Sequence, residues 1–333
     1  MAIKTITQMK HSQLSRRRFL GAAAMTAASI VVSRKAVFGM PAYIRDLNKP
    51  NSVFNGVQIG VITYSFRSMP SSAEQLLQYC RECGVSAVEL MGDAAETFAG
   101  APVAPPRPKR DSTEGHEAWQ AHLQALATWR QNAPMHRFEQ LRKLYNDAGV
   151  SIYGYKPSAL GVTNTDGEIE YAFRAAKALG ANQANVEFPT DPAQTQRLGQ
   201  LAAKHKVYVG YHGHTQQTFN MWDGAIAQSR FNAMNFDMGH YVAAGFDAIE
   251  FIKAKHKHIV SMHVKDRKTK ENGGANLPWG QGDTPIAEAL QLMAKSRYKF
   301  PATVELEYQI PEGSDAVKEV AKCVEFARKA LKA

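Results

Sequence analysis

The feature that most constrains the fold of this chain is a repeated alternation of short strand-like runs with longer helical patterns. Eight runs are rich in β-branched and aromatic residues, at 57–66, 85–91, 150–156, 182–188, 207–214, 233–239, 259–265 and 302–308. Helical patterns separate them, at 71–83, 114–148 in two pieces broken at Pro134, 166–179, 192–205, 220–229, 247–257, 285–296 and 315–332. Strand-then-helix order implies parallel strands joined by right-handed crossovers.

Eight such units in about 250 residues predict a closed (β/α)8 TIM barrel, which is an α/β fold in a single domain. An open, doubly wound sheet is the alternative. The dinucleotide-binding form of that sheet carries a G-x-G-x-x-G motif after its first strand. No such motif follows residues 57–66, and this favours the barrel.

Two insertions interrupt the regular spacing, and both follow predicted strands. Residues 92–117 are rich in proline and charge, and residues 266–283 are rich in glycine, asparagine and lysine. Loops after the carboxyl ends of barrel strands line the active-site face, so both are candidate walls or lids. The first insertion fits a plain surface excursion equally well. Trp279 and Gly280 are unusual in a solvated loop and favour a functional role for the second.

The first 39 residues predict a twin-arginine signal peptide. The residues that resemble the twin-arginine export motif are Ser15, Arg16, Arg17, Phe19 and Leu20. The apolar stretch 19–32 is too short to span a bilayer, which takes about 20 residues. We expect cleavage near Gly39, with Ala42 as a second choice, although an uncleaved anchor stays open. Residues 40–333 then form the barrel, which the twin-arginine translocase delivers to the periplasm.

The basic character of the chain comes mostly from this signal. The full chain has 40 basic and 30 acidic side chains and a formal net charge of +10. Residues 1–39 hold seven basic side chains and no acidic one, so the mature chain keeps 33 against 30 and a charge of +3. A nucleic-acid partner requires Lys and Arg clustered on one face. The small mature charge therefore argues against nucleic acid.

Cysteine usage does not predict a disulfide framework. Cys80, Cys83 and Cys323 are too few for one in a chain of this length. Cys80 and Cys83 form a C-x-x-C at the end of an amphipathic helical pattern, where we expect small buried thiols in preference to a redox pair. A zinc site would need a second pair, which the sequence lacks.

Acidic residues and histidines end or follow five of the predicted strands. In chain order they are Glu187, His212, His214, Asp237, His240, His263, Glu305 and Glu307. Alternation along a strand points Glu187, His263 and Glu305 away from their apolar neighbours, so we expect these side chains to converge on one mouth of the barrel. Taken alone, Asp237 equally fits a helix cap, and the histidines fit ordinary core or rim positions.

Several carboxylates and imidazoles at one rim require a neutralising partner. Unpaired buried acids repel one another and raise their own pKa values, at a cost of several kcal/mol. A divalent cation removes that cost. Mixed carboxylate and imidazole ligands suit Mn²⁺, Co²⁺, Mg²⁺ or Zn²⁺, and the sequence does not choose among them.

Five motifs resemble, in order, those of the xylose isomerase-like TIM-barrel superfamily. They are NVEF, FDMGHYVAAGFD, HVKD, LPWGQGDTPI and YKFPATVELE. The resemblance covers roughly 57–330, and five motifs in the right order on the right strands are fairly specific. The superfamily includes sugar isomerases and epimerases, inosose dehydratases and apurinic endonucleases.

The resemblance implies a ligand set and a substrate pocket. A Glu, an Asp, a His and a second Glu hold the metal in that superfamily, and the matching residues are Glu187, Asp237, His263 and Glu305. Glu307 is the alternative to Glu305 as the last ligand. His240 matches an accessory histidine, and His212 and His214 resemble a pair that lines the substrate pocket.

The chemistry implied by the sugar isomerase and epimerase branch is proton transfer next to a carbonyl. Glu187 and Glu305 would remove and return the proton, with His240 and His263 stabilising charge on oxygen. Lys156 and Arg67 are weaker candidates for binding a hydroxyl or an acidic group of the sugar. Two alternatives stay open: a lyase or hydratase acting on 3-keto-glycosides at the same metal site, and a sugar-binding barrel without turnover.

The endonuclease branch fits the sequence poorly. It uses three metal ions and more histidines, and residues 266–283 contain none. We therefore expect a small sugar or keto-sugar as the partner in the site. The oligomeric state stays open, a homo-oligomer included.

Overall fold

The computed structural model describes residues 49–109 and 112–332, so the predicted signal peptide at 1–39 lies outside the described residues. Eight strands form the wall of a barrel; seven lie within predicted runs, and the sixth begins at Asn232, one residue before its run. Their bounds are β1 Val57–Ile62, β2 Ala87–Met91, β3 Ser151–Lys156, β4 Gln183–Glu187, β5 Tyr208–His212, β6 Asn232–Asp237, β7 Ile259–Val264 and β8 Ala302–Val304.

The eight strands close into a continuous parallel sheet. Each strand pairs in parallel with the next, from β1 to β8. β8 then pairs with β1, with Ala302 opposite Ile59 and Val304 opposite Val61. This ring confirms the predicted (β/α)8 barrel, and the open sheet is wrong.

Helices cover the outside of the barrel. Their bounds are α1 Ala73–Glu82, α2 Gly92–Ala99, α3 Thr113–Gln131, α4 Met135–Asp147, α5 Asp166–Leu179, α6 Pro192–His205, α7 Asp223–Gln228, α8 Met238–Ala243, α9 Ala248–Lys255, α10 Ile286–Ser296 and α11 Ala316–Ala330. Pro134 caps α4 and separates it from α3, as the sequence predicts. Thr165 and Glu168 form a capping box that starts α5.

Two of these helices are absent from the sequence prediction. α2 occupies the start of the first insertion and ends at Gly100, whose φ of 93° is left-handed. α8 follows β6 directly, where the prediction continued the strand to 239. The strand ends at Asp237 because its side chain accepts a hydrogen bond from the backbone N–H of His240 and caps α8. Helices this short leave little periodicity to detect.

The second insertion forms an anchored hairpin after β7. Asp266–Arg267 pairs antiparallel with Asn276–Leu277. The buried carboxylate of Asp266 accepts backbone hydrogen bonds from Gly280, Gln281 and Gly282. Trp279 packs edge-on against Phe326 of α11, so it contacts the outer helix layer and serves to hold the loop in place.

The apolar core fills the space between the strands and the helices. Phe236 of β6 and Phe251 of α9 stack with ring centres 4.4 Å apart. The three cysteines are buried and unpaired, as expected, and burial raises the pKa of Cys83 to about 12. Within residues 49–109 and 112–332, no helix has the length and apolar character needed to cross a bilayer.

Candidate metal centre at the barrel mouth

Strand register brings the predicted site residues into one layer. Glu187 at the end of β4 lies opposite His212 at the end of β5. His212 lies opposite Asn235 of β6, and Asp237 lies opposite His263 of β7. All these strands are parallel, so their carboxyl ends meet at one mouth of the barrel. The expected convergence of the site residues is therefore present.

Four side chains at this mouth come close enough to share one ion. His212, Asp237, His263 and Glu305 each offer a ligand atom, and these atoms all lie within 4.8 Å of one another. All four residues are buried. Together with Lys265, described below, we call them the mouth cluster. Three of the four metal ligands predicted from the sequence are in it, and His212, predicted to bind substrate, stands beside them.

The two oxygens of Asp237 have different surroundings. Oδ1 accepts the backbone N–H of His240 at 2.8 Å, so the helix-cap interpretation is confirmed for this oxygen. Oδ2 is buried and accepts no hydrogen bond of good geometry, although it forms an ion pair with Lys265 Nζ at 3.0 Å. The second oxygen of Asp237 is thus available to a ligand without loss of the cap.

His263 is held between two carboxylates. Its Nδ1 donates to Glu305 Oε2 at 2.8 Å, and its Nε2 donates to Glu89 Oε2 at 2.9 Å. Burial lowers the pKa of His263, but the charges of Glu89 and Glu305 outweigh burial and raise it to about 10. A carboxylate on one ring nitrogen is the usual support for a histidine that binds metal through the other nitrogen, and Glu89 has that position at Nε2.

Glu89 was not among the residues selected from the sequence. It lies in β2 and is fully buried inside the barrel. Burial raises the pKa of Glu89, but the His263 charge and hydrogen bond outweigh burial and hold it below its ordinary value. The signal was present in the sequence, because Glu89 is a lone charge within the otherwise apolar run AVELM.

Lys265 places an ammonium group among the acids of the mouth. Four atoms surround Nζ: the carboxylate oxygens Glu305 Oε2 at 2.7 Å, Glu307 Oε2 at 2.9 Å and Asp237 Oδ2 at 3.0 Å, and the ring nitrogen His240 Nε2 at 3.1 Å. Burial lowers the pKa of Lys265, but the charges of Asp237 and Glu305 outweigh burial and raise it above its ordinary value. Lys265 follows His263 by two positions, so strand alternation alone would have found it.

Glu187 lies outside the mouth cluster. Its carboxylate is half-exposed and pairs with Lys156 Nζ at 2.8 Å and His214 Nε2 at 3.1 Å. Burial raises the pKa of Glu187, but the His214 hydrogen bond and the Lys156 charge outweigh burial and hold it well below its ordinary value. The hydrogen bond to Glu187 raises the pKa of His214. The predicted substrate residues Lys156 and His214 therefore contact a predicted ligand.

The remaining histidines line the same opening. The His214 ring stacks on His240 with ring centres 4.7 Å apart. His212 is hydrogen-bonded through Nδ1 to Asn235 Oδ1 at 2.8 Å. Burial, with the charges of Lys156 and His263, lowers the pKa of His212 to about 3, so its imidazole is neutral at physiological pH. Neutral imidazole is the form that binds metal.

Arg67 is placed differently from the other predicted residues. Its guanidinium donates to the backbone oxygen of Leu306 at 2.6 Å and lies over the Tyr64 ring. Arg67 therefore braces the chain just after Glu305. Glu307, the alternative last ligand, is nearer the surface and contacts Lys265 and His240.

The donor set of the mouth cluster fits a divalent cation. Two carboxylates and two imidazoles are the ligand types of zinc, manganese and cobalt sites, and magnesium takes the carboxylates. The pKa values of Asp237 and Glu305 are lowered: burial raises both, and the Lys265 charge, the largest opposing influence, outweighs it. Both acids are thus ionised at neutral pH and ready to bind a cation.

Comparisons with known proteins agree with this architecture. A protein-family model described as "Xylose isomerase-like TIM barrel" matches residues 77–329. A search of curated proteins gives no match.

Solved structures that resemble the chain share its fold at low sequence identity. A sugar phosphate isomerase/epimerase from Parabacteroides distasonis has a TM-score of 0.54 and 15% identity, covering 82% of this chain and 94% of its own. The probable 3-DHS dehydratase from Bacillus anthracis has a TM-score of 0.56 and 15% identity, covering 80% and 97%. A xylose isomerase-like TIM barrel protein from Mycobacterium smegmatis, in complex with magnesium, has a TM-score of 0.52 and 15% identity, covering 83% and 96%.

Proposed function

Because the chain belongs to the xylose isomerase-like TIM barrel family, we propose that it is a metal-dependent enzyme of the sugar isomerase and epimerase type. Its reaction is abstraction of a proton next to the carbonyl of a small sugar or keto-sugar. The observation that carries this proposal is the buried group of His212, Asp237, His263 and Glu305, whose ligand atoms lie within 4.8 Å of one another.

Asp237, His263 and Glu305 would hold the divalent cation, with His212 or the predicted ligand Glu187 as the fourth ligand. Asp237 Oδ2 supports this assignment, since it is buried and, apart from its ion pair with Lys265 at 3.0 Å, accepts no hydrogen bond. A bound divalent cation acts as a Lewis acid on a substrate carbonyl and makes the adjacent C–H bond more acidic. The magnesium complex of the Mycobacterium smegmatis structure is consistent with such a site.

Glu187 and Glu305 are the two bases that we propose for proton transfer. They belong to β4 and follow β8, which are opposite one another in a barrel of eight strands. With a substrate bound between them, one carboxylate would lie on each side of the reacting carbon. The pKa of Glu187 lies below its ordinary value for the reasons given above, so Glu187 is an ionised base at neutral pH.

The cationic and imidazole side chains around these bases would orient the sugar. Lys156 and His214 hold the Glu187 carboxylate at 2.8 and 3.1 Å. His240 lies 3.1 Å from Lys265 and stacks on His214, so its ring faces the same opening. Hydroxyl groups of a sugar would find both donors and acceptors on this wall.

Nuclear magnetic resonance in D₂O tests the proposal. The metal-supplemented mature protein is incubated with a panel of sugars and 3-keto-sugars. We expect deuterium at a carbon next to the carbonyl of one substrate. Glu187→Gln should abolish this exchange while sugar binding persists. Glu170→Gln, which changes an exposed glutamate paired with Lys204, is the matched control and should keep full exchange. A Glu187→Gln protein with unchanged exchange would contradict the assignment.

The same experiment distinguishes an isomerase or epimerase from the two alternatives, a lyase or hydratase and a sugar-binding protein. Loss of a group next to the carbonyl, together with deuterium incorporation, would identify a lyase or hydratase. The fold is also that of the probable 3-DHS dehydratase from Bacillus anthracis, whose name describes an elimination. Sugar binding without any exchange across the panel would identify a binding protein.

We also propose that residues 1–39 export the chain to the periplasm through the twin-arginine translocase. Cell fractionation of the full chain should find a shortened protein in the periplasm. Replacement of Arg16 and Arg17 by lysine should retain the protein in the cytoplasm, whereas unchanged export would contradict the proposal.

A further inference from the structure

A second cavity lies beside the mouth cluster, and its charge differs from that of the cluster. It has a volume of about 380 Å³ and lies between the loops that follow β5, β6 and β7. Thr215 comes from the first loop, Ala243 and Ala244 from the end of α8, and Arg267 and Lys270 from the hairpin after β7. Two cationic side chains thus line a space whose opposite wall is small and apolar.

Neither cation of this cavity is neutralised by a carboxylate of the described residues. Arg267 donates from Nε and Nη2 to the backbone oxygen of Gly274 and from Nη1 to His240 Nδ1. A guanidinium has five N–H groups, so one on each terminal nitrogen is left for a ligand. Lys270 is exposed at the rim of the cavity and has no ion pair in the described part of the chain.

A neighbouring lysine of the same hairpin shows the contrast. Lys268 Nζ lies 3.0 Å from Asp283 Oδ1 and is therefore paired. Lys268 does not line the cavity. The hairpin thus pairs one lysine within the protein and leaves the other, Lys270, facing the space next to Arg267.

The cavity adjoins the mouth cluster through His240. Arg267 contacts Nδ1 of the His240 ring, and Lys265 contacts Nε2 of the same ring. Thr215 directly follows His214, which stacks on His240. One imidazole thus lies between the cationic cavity and the mouth cluster, so the two are neighbours at the same end of the barrel.

We propose that this cavity binds an anionic group of the substrate, a phosphate or a carboxylate, while the carbonyl end of the substrate lies at the mouth cluster. The inference rests on the proposed function and narrows it to acidic sugars. Arg267 would bind two oxygens of the anion through its free N–H groups, and Lys270 would add a second charge. Ala243 and Ala244 leave the room that the oxygens need.

Binding of inorganic phosphate to the metal-free mature protein tests the cavity alone. Calorimetric titration at constant ionic strength should detect phosphate binding, which Lys270→Met weakens about tenfold. Lys268→Met removes the same charge from the same hairpin and should leave the affinity unchanged. No phosphate binding by the wild-type protein, or equal weakening by the two substitutions, would overturn the proposal.

Sugar probes then link the cavity to the substrate. The metal-supplemented protein should bind glucose 6-phosphate or glucuronate more tightly than glucose, and Lys270→Met should remove most of that preference. The two acidic probes distinguish phosphate from carboxylate. Equal affinity for all three sugars would overturn the proposal. Because these are binding measurements, a protein that selects acidic sugars but exchanges no deuterium would refute the proposed reaction and leave the anion site intact.

Discussion

Two buried clusters of charged side chains, among those that the described residues contain, differ in how completely their polar atoms are hydrogen-bonded. One is the mouth cluster. The other, which we call the Arg130 cluster, joins Arg130 of α3 to Glu96 of α2 and Glu168 of α5 outside the barrel. Arg130 lies 2.9 Å from Glu96 and 3.3 Å from Glu168, and all three side chains are buried.

In the Arg130 cluster, every charged atom has a hydrogen-bond partner. Tyr171 donates a hydrogen bond to Glu96, and Ser158 accepts one from Arg130. The second oxygen of Glu168 caps α5. In the mouth cluster, Asp237 Oδ2 has an ion pair with Lys265 at 3.0 Å but no hydrogen bond, and Oε1 of the adjoining Glu89 has no hydrogen bond either. A saturated cluster has no lone pair left for a further ligand, whereas a buried oxygen without a hydrogen bond can accept one.

Glu305→Gln should lower turnover about 10³-fold, since it removes one proposed base and one ligand while preserving shape. Turnover is measured by deuterium exchange on the substrate that the panel identifies. Glu312→Gln, an exposed change seven positions further on, is the matched control and should leave turnover unchanged. Substantial activity in the Glu305 variant would show that the mouth cluster, like the Arg130 cluster, takes no part in catalysis.

Arg130→Met should destabilise the fold by about 3–5 kcal/mol, since it leaves two buried carboxylates without their cation. Thermal denaturation should show a fall in melting temperature of roughly 10 °C. Arg328→Met breaks an exposed pair with Glu325 and should have little effect. At a temperature where it is folded, the Arg130 variant should bind metal as tightly as wild type. Weakened metal binding would mean that the two clusters are coupled.

Glu89→Gln should weaken metal binding by about 10–100-fold, since the amide supports His263 less well than the carboxylate does. Calorimetric titration of metal into the stripped protein measures the effect. Glu82→Gln, an exposed change at the end of α1, is the control. An unchanged affinity in the Glu89 variant would show that the hydrogen bond between Glu89 and His263 does not serve the site.

Metal binding should release a proton from His263, whose pKa in the metal-free protein is raised to about 10 from its ordinary 6.5. The apparent affinity should rise with pH, by up to about tenfold per unit below pH 10. The stability of the metal-free fold changes with pH in the opposite direction. Protonated His263 stabilises the metal-free fold fully below pH 6.5, and that contribution is lost as the pH rises through about 10. Calorimetry in buffers of different ionisation enthalpy measures proton release, and absence of release would contradict the pairing with Glu89 and Glu305.

Most of the barrel could be predicted from the sequence because its information is local and periodic. Alternating strand and helix patterns gave all eight barrel strands in their order. The short helix α8 could not be predicted, since its start depends on one hydrogen bond between the Asp237 side chain and the His240 backbone. The left-handed turn at Gly100 likewise ends α2 inside a segment whose composition predicts a loop.

The candidate site could be predicted only in part, because strand alternation does not determine side-chain conformation. Strand alternation indicates which residues lie on the same face of the sheet, and it identified Asp237, His263 and Glu305. It does not give the side-chain conformation, so it could not predict that Glu187 pairs with Lys156 and His214. Glu89 and Lys265 were not predicted, because acids and histidines at strand ends were the criterion. Lys265 has a basic side chain, and Glu89 lies within its strand.

The most direct test of the central claim is calorimetric titration of a divalent metal into the stripped wild-type protein and into Asp237→Asn. Asparagine keeps the cap of α8 and removes the negative charge beside Lys265, so the variant should fold. We predict about one tightly bound ion per chain in the wild type, and in an Asp223→Asn control at an exposed pair, with binding lost in Asp237→Asn. Equal metal binding by wild type and Asp237→Asn would contradict the claim that the incompletely paired mouth cluster is a metal site.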